Sequence, residues 1–155
     1  MRSLSRGPVV VGVVVSVAVS SSVRADAPPG RYTASAGTVV DGVTHLSWQQ
    51  AIVTSGGDDG AGRSTWAHAK SYCASLGGGH RLPTVKELLT IVDFSKTNPS
   101  IDTSVGAFPD TPPDAFWTAT PLAGSPPTSA WFINFYDGYA GNVDMMQPNR
   151  VRCVR

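Results

Sequence analysis

Residues 31–50 alternate apolar or β-branched residues with polar ones, and this period of two predicts β-strands. Three short strands are predicted, at residues 31–34, 38–40 and 43–50. Asp41-Gly42 is a tight-turn signal before the third strand, in which Leu46 and Trp48 share the inward face. The glycine-rich segment 54–63 that follows is predicted to be a surface loop.

A helical period replaces this alternation after residue 63. Apolar or small side chains recur at helical spacing, at Trp66, Ala69, Cys73 and Leu76. Ser64 or Thr65 is the expected N-cap. The three glycines 77–79 end the helix, because glycine adopts the left-handed conformation at little cost.

A second helix is predicted from a capping box, in which Thr84 and Glu87 each satisfy a free backbone donor at the helix start. The helix is expected to run to about Phe94, with a buried face of Val85, Leu88, Leu89 and Val92. Later strands are predicted at residues 116–120, 130–136 and 151–154. Two helices between an early hairpin and late strands predict the α+β class.

Residues 1–25 have the layout of a secretory signal peptide, with Arg2 and Arg6 near the start, a run of mostly apolar residues at 9–19 and small residues at the cleavage positions Ala25 or Ala27. That run rises only about 16 Å as a helix, too little to span a hydrocarbon core of roughly 30 Å. We therefore expect an exported protein, periplasmic, cell-surface or secreted, with no membrane span after cleavage.

Cleavage after Ala25 changes the charge of the protein. It removes Arg2, Arg6 and Arg24 from the 12 basic residues and leaves all 11 acidic ones, so the formal charge falls from +1 to −2. A slightly acidic domain is not suited to binding nucleic acid through bulk charge. No nucleic-acid partner is predicted.

Both cysteines lie beyond the predicted leader, Cys73 in the first helix and Cys153 near the end. An even number of cysteines in an exported chain favours a disulfide. Closing a loop of this length stabilises a fold by roughly 4 to 5 kcal/mol in the chain-entropy model. Two separate thiols, or pairing between molecules, are the alternatives.

Six motifs in order resemble one known family. They are LSWQ at 46–49, WAHAKSYC at 66–73, RLPTVKEL at 81–88, FWTAT at 116–120, AWF at 130–132 and VRCVR at 151–155. The chain resembles the DUF1566 family, also called the Lcl C-terminal domain family after a Legionella collagen-like adhesin, over residues 31–155. The resemblance implies a C-type-lectin-like fold in a bacterial exported or surface protein: two helices on short antiparallel sheets, long loops and one disulfide. The adhesin itself is described as binding sulfated glycosaminoglycans.

The chain differs from that adhesin, because it has no collagen-like Gly-X-Y stalk and its charge is slightly acidic. The RLPT motif at 81–84, followed by Glu87, is also similar to a motif of formylglycine-generating enzymes, which share a lectin-like core. Their chemistry needs reactive cysteines that hold copper. The two cysteines here are assigned to a disulfide, so we do not predict that activity.

No local motif for catalysis is present. His45, His68 and His80 are isolated, and neither a His-Glu-x-x-His motif nor a glycine-flanked serine elbow occurs. We predict a protein that is not an enzyme and needs no cofactor. Calcium is the one metal considered, with hard ligands available from Asp58 and Asp59 or from the set Asn134, Asp137, Asn142 and Asp144.

Aromatic residues are the remaining candidates for ligand binding. Four tryptophans lie in predicted elements and are expected in the core: Trp48, Trp66, Trp117 and Trp131. Tyr136 and Tyr139 flank the predicted Asp137-Gly138 turn and are expected to be exposed, where they are suited to stacking on sugar rings. Arg152 is expected on a solvated strand face opposite Cys153. The candidate ligand-binding residues are Asn134, Tyr136, Asp137, Tyr139, Asn142, Asp144, Arg150 and Arg152.

These features predict an exported, non-enzymatic binding or adhesion module for a glycan or another cell-surface ligand. The alternative is a structural or assembly protein of the cell envelope that binds another protein. An enzyme of unrecognised type is the least favoured hypothesis.

Overall fold

A computed structural model describes residues 27–124 and 126–155. The predicted signal peptide at residues 1–25 lies outside the described residues. The strands are β1 (Tyr32–Ser35), β2 (Thr38–Asp41), β3 (Ser47–Gln49), β4 (Gly56–Gly57), β5 (Ala61–Arg63), β6 (Ala115–Pro121), β7 (Ser129–Asn134) and β8 (Tyr139–Asp144). The helices are α1 (Trp66–Ser75) and α2 (Val85–Leu89). The α+β class with two helices and small, mostly antiparallel sheets is confirmed, and it is compatible with a C-type-lectin-like fold.

The first sheet has the order β1-β2-β3, and the end of the chain extends it. Ser47 donates its N–H to the Arg155 carbonyl at 2.9 Å, and Arg155 donates back to Ser47. Val154 forms bridges to Trp48 on one side and to Arg81 on the other. The predicted strand at 151–154 is thus an extended segment held by isolated bridges, inserted between β3 and Arg81.

The second sheet has the order β6-β7-β8 and separates two hydrophobic clusters. Phe116 lies opposite Ile133, and Trp117 opposite Phe132, so successive residues point to opposite faces. One cluster contains Val39, Trp48, Leu88, Ile91, Phe108, Phe116, Ile133 and Phe135. The other contains Ala69, Cys73, Leu82, Trp117, Ala130, Val151 and Cys153. Helix α2 contributes to the first cluster through Leu88, and α1 to the second.

The predicted disulfide is confirmed. The Cα atoms of Cys73 and Cys153 lie 5.4 Å apart, and the bond closes a sequence separation of 80 residues. Both cysteines are fully buried in the second cluster, and the described residues include no free cysteine. The bond therefore joins α1 to the extended segment that closes the first sheet.

The N-terminus of helix α1 is capped by Asp58, seven residues before the N-cap, rather than by the side chain of the N-cap threonine. Thr65 is the N-cap, but its side chain makes no capping hydrogen bond. The Asp58 carboxylate instead accepts the Thr65 N–H at 2.6 Å and contacts His68 at 2.5 Å. Gly77 has the expected positive φ of 69° just after the helix.

Several predicted boundaries were wrong. Segment 54–63 contains the short parallel pair β4-β5, and Leu76, predicted within the first helix, is its exposed C-cap. Helix α2 ends at Leu89, well before Phe94, where the backbone N–H groups of residues 90–92 begin to bond three residues back. The Asp93 carboxylate then binds the Ser95 N–H and hydroxyl, which forms a turn where the helix was predicted to continue.

Strand β8 was not predicted. Its residues include glycine, asparagine and aspartate, which have low strand propensity, yet it pairs with β7 along its whole length, from Tyr139 opposite Asn134 to Asp144 opposite Ser129. Neither helix of the described region has the length and apolar character that crossing a membrane requires.

Candidate functional site

The β7–β8 turn is held by hydrogen bonds between near neighbours in the sequence. The Asn134 side chain accepts the Tyr136 N–H at 3.0 Å, and the Asp137 carboxylate accepts the Tyr139 N–H at 2.9 Å. Gly138 donates its N–H to the Asn134 carbonyl and has a φ of 82°, a conformation that glycine adopts readily. The predicted Asp137-Gly138 turn is confirmed, and two of its predicted ligand oxygens are used to shape it.

Three aromatic side chains project at this turn. Phe94 is 66% exposed, Tyr136 53% and Tyr139 60%. A Cβ atom on Gly138 would lie 2.8 Å from the Phe94 ring, so Phe94 packs on the turn backbone. We call Phe94, Tyr136 and Tyr139 the aromatic turn surface.

Contacts from outside the turn fix this surface in place. The Tyr139 ring packs on Phe132, with centroids 6.2 Å apart at 63°. The Tyr136 carbonyl accepts the Asn98 N–H at 2.8 Å, which ties the loop after Phe94 to the turn. The sequence missed Phe94 because the second helix was extended through it. The Asp93-x-Ser95 pattern was the signal that could have ended the helix earlier.

The lysine of the loop beside the aromatic turn surface, Lys96, has a 42% exposed side chain but lies next to two carboxylates. The Lys96 ammonium lies 3.3 Å from the Asp93 carboxylate and 3.8 Å from that of Asp102. The polar groups of the turn and of this loop are then the Asp137 carboxylate and neutral groups such as the exposed Asn98. Chemically, the surface offers aromatic rings beside hydrogen-bonding groups and little positive charge.

The other predicted oxygen ligands lie farther along β8. Asn142 is opposite Trp131, and Asp144 is opposite Ser129. Asp144 lies five residues beyond Tyr139, or about 17 Å along the strand, and its carboxylate accepts the Met146 N–H. The four residues proposed for calcium are therefore not gathered around one point.

The acidic pair in the glycine-rich loop is also engaged. Asp58 caps α1, and the Asp59 carboxylate accepts the N–H groups of Ala61 and Arg63. Across the described part of the chain, no group of three or more histidine, cysteine, aspartate or glutamate side chains has a spacing that could hold a metal ion.

Arg150 lies away from the turn and is mostly covered. Its Nε donates to the Asp114 carboxylate at 2.9 Å, and its Nη1 donates to the Ala61 carbonyl. Arg63 binds the same Asp114 oxygen at 2.9 Å. Two arginines on one carboxylate join β5 to the C-terminal segment, so Arg150 supports the fold.

The expectation for Arg152 was wrong, because this residue is completely buried. Its guanidinium donates to the carbonyls of Gln49 and Gln50 at 2.8 Å and to the Thr111 hydroxyl at 2.7 Å. It also lies over the Phe108 ring at 4.8 Å.

No carboxylate pairs with Arg152 among the described residues, and burial alone lowers its pKa to about 9. The face of this segment that was expected to meet solvent is covered by Phe108 and Phe116, which lie 4.8 and 5.8 Å from the guanidinium. The side chain instead enters the first hydrophobic cluster.

Three of the four tryptophans lie in or against the core, as predicted, whereas Trp131 belongs to neither hydrophobic cluster. Trp48 and Trp117 are fully buried, and Trp66 and Trp131 are half-buried. Trp117 donates its ring N–H to the Ser64 carbonyl at 2.7 Å, and Trp66 donates to the Thr118 carbonyl at 2.8 Å.

The predicted capping box of α2 is confirmed and engages Glu87 fully. Glu87 accepts two bonds from Arg81, at 2.8 and 2.7 Å, as well as the Thr84 N–H at 2.7 Å. The Arg81 guanidinium and the Thr84 backbone lower the Glu87 pKa to about 2. The carboxylate is therefore ionised at neutral pH and bound in place.

A cleft of about 210 Å³ lies between residues 27–32 and the loop that carries Asp102, Ser104 and Gly106. None of the predicted ligand-binding residues lines it. The aromatic turn surface is a projecting feature rather than a cavity.

Comparison with known proteins gives one finding about family. The model of the family described as the Lcl C-terminal domain matches residues 37–155, which include every strand from β2 onward and both helices. The matched region contains the disulfide, the capping box and the aromatic turn surface. A search of curated proteins found no significant match.

Proposed function

The chain belongs to the Lcl C-terminal domain family, and on that premise we propose that it is an exported, non-enzymatic module that binds a glycan or another cell-surface ligand through the aromatic turn surface. The observation that carries the proposal is that Tyr136 and Tyr139, in and beside the hydrogen-bonded turn, and Phe94, which packs on Gly138 of that turn, are all exposed. Aromatic rings of this kind stack on the apolar faces of sugars while neighbouring polar groups bind hydroxyls.

The rigidity of the turn supports this function. Hydrogen bonds within the turn and the Asn98 bond to Tyr136 hold the backbone before any ligand arrives. A preorganised surface loses less conformational entropy on binding than a flexible loop does. The three rings are therefore available to a ligand without rearrangement of the sheet.

The charges near the turn favour an uncharged ligand. The adhesin of this family is described as binding sulfated glycosaminoglycans, which would need accessible cations. Arg150 and Arg152 are bound to the rest of the fold, and Lys96 faces two carboxylates. We therefore propose a neutral saccharide rather than a polyanion.

A glycan array with the purified, disulfide-bonded protein tests the proposal. We expect signal on neutral glycans that is lost in Tyr136→Ala and in Tyr139→Ala, and that persists with a chelator. Val105→Ala is the matched control, since Val105 is an apolar side chain that is 87% exposed outside the turn. Equal binding by all four proteins, or no binding to any glycan or cell-surface preparation, would contradict the proposal.

Export is part of the same proposal. A buried disulfide forms and persists in an oxidising compartment, and residues 1–25 have the pattern of a signal peptide. The intact mass of protein collected from the exporting cell tests both. We expect a start at Asp26 or Pro28 and a mass increase of about 2 Da on reduction, from the two hydrogens that the thiols gain.

A further inference from the structure

The outer edge of β8 carries unpaired backbone groups. Phe135 donates its N–H to Asp114 beside β6, and Met145 donates its N–H to Thr128. Because successive residues of a strand direct their backbone groups to opposite sides, Tyr139, Gly141 and Val143 bond to β7. The N–H and C=O groups of Ala140 and Asn142 therefore point away from the sheet.

This edge lacks the features that keep edge strands apart. Strand β8 is six residues long, pairs with β7 without a bulge and contains neither proline nor lysine. Its one charge, Asp144, is at its end. Natural edges are normally blocked by such residues, by bulges or by covering elements. Within the described residues, β7 is the element that packs along β8.

The edge of the first sheet is different. Strand β1 has four residues, and Arg31 precedes it. Its Tyr32 ring packs edge-on against Phe108 at 5.1 Å. A short strand beside a charge and a covering loop is a protected edge, so of these two edges β8 is the one that is open to pairing.

We propose that the β8 edge pairs antiparallel with β8 of a second copy of this chain, with Gly141 facing Gly141 at the two-fold axis. This register matches Ala140 with Asn142 of the other copy and forms four hydrogen bonds between the unpaired groups. The register leaves out the Asp144 carbonyl, which already accepts the Gln147 N–H, so every backbone group that it pairs is unpaired in the single chain. The interface is isologous, as most dimer interfaces are.

The side chains are compatible with this register. Tyr139 lies opposite Val143 of the other copy, an aromatic and β-branched pair that is formed twice and is favourable across strands. Asp144 lies opposite Gly138, so no carboxylate faces a carboxylate. Pairing along one strand buries much less than the roughly 800 Å² per partner of a stable interface, so the dimer is weak and depends on concentration.

Sedimentation velocity of the purified protein from micromolar to millimolar concentration tests the proposal. We expect reversible dimerisation. Asn142→Pro removes the outward N–H from both copies and should raise the dissociation constant by about tenfold or more. Asn142→Ala keeps that N–H and is the matched control, with an expected dissociation constant close to that of the unchanged protein.

Amide hydrogen exchange of the unchanged protein locates the contact, and this measurement does not depend on whether the Asn142→Pro variant folds. As the concentration of the unchanged protein rises, the N–H groups of Ala140 and Asn142 should become protected, while those of Tyr32 and Ala34 on the β1 edge should not. A protein that stays monomeric at millimolar concentration would overturn the proposal, and so would protection confined to other edges. The test involves no saccharide, so its failure leaves the proposed function untouched.

Discussion

Polar side chains make long-range contacts in the C-terminal segment and short-range contacts in the β7–β8 turn. Around Arg152 and Cys153, side-chain hydrogen bonds join residues that are 102 to 104 positions apart in the sequence. In and beside the turn, the bonds of Asn134, Asp137 and Asp144 each reach a backbone N–H only two positions away. The first kind of contact closes the whole fold, whereas the second shapes a local surface.

This difference separates stability from recognition. Removing a long-range contact releases the C-terminal segment from two parts of the chain at once, so it should change the free energy of unfolding of the whole domain. Removing an exposed ring from the turn leaves the closing contacts intact. The predictions below test this division, beginning with the largest expected effect.

Reduction of the Cys73–Cys153 bond should lower the free energy of unfolding by about 4 to 5 kcal/mol, because an 80-residue loop is released in the unfolded chain. Urea unfolding with and without reductant measures the loss. The double variant Cys73→Ala, Cys153→Ala is the control and should not respond to reductant. A loss of less than about 1 kcal/mol would mean that the closure depends on the backbone bridges instead.

Arg152→Met should destabilise the domain by about 2 to 4 kcal/mol, because one buried and two partly buried acceptors lose their donor. The methionine retains much of the aliphatic stem that packs on Phe108. Arg155→Met, at an exposed side chain, is the control and should change the free energy of unfolding by less than about 0.5 kcal/mol. If urea unfolding gives the same change in the free energy of unfolding for both substitutions, the bonds of Arg152 do not stabilise the fold in the expected way.

Local features of the fold could be predicted from the sequence. The capping box depends on Thr84 and Glu87, three positions apart, and both of its bonds are present. The turn depends on Asp137-Gly138, and the disulfide on two cysteines in a chain with an apparent export signal. In each case the relevant partners were within three positions of each other or, for the cysteines, were the only two in the sequence.

The features that were missed depend on distant partners. Nothing in the sequence around Arg152 distinguishes it from a surface arginine. Its hydrogen bonds are made to Gln49, Gln50 and Thr111, which are distant in the sequence. Strand β8 forms because β7 pairs with it, in spite of its own low strand propensity. Of the candidate site, the two tyrosines were predicted and Phe94 was not.

Acid should test the local contacts of Glu87. Its pKa is lowered from 4.5 to about 2 in the folded protein, so its stabilising contribution is complete above pH 4.5 and is lost as the pH falls through about 2. We expect Glu87→Gln to cost about 1 kcal/mol at neutral pH and almost nothing near pH 2.

Urea unfolding at several pH values measures this convergence. Arg81→Gln removes the partner that chiefly lowers the Glu87 pKa and should show the same convergence toward the unchanged protein at low pH. A cost of Glu87→Gln that stays constant from neutral pH to pH 2 would show that the carboxylate charge is not the source of the stability.

The smallest stability effect is expected at the turn, where the effect on binding should be the largest. Tyr136 is 53% exposed, and its side chain has no hydrogen bond among the described contacts. Tyr136→Ala should therefore change the free energy of unfolding by less than about 0.5 kcal/mol, whereas Ile133→Ala, three residues earlier in the buried face of β7, should cost about 2 to 5 kcal/mol. Urea unfolding and glycan binding should be measured on the same preparations. If Tyr136→Ala destabilises the domain as much as Ile133→Ala does, the turn is part of the core, and its exposed rings no longer separate recognition from folding.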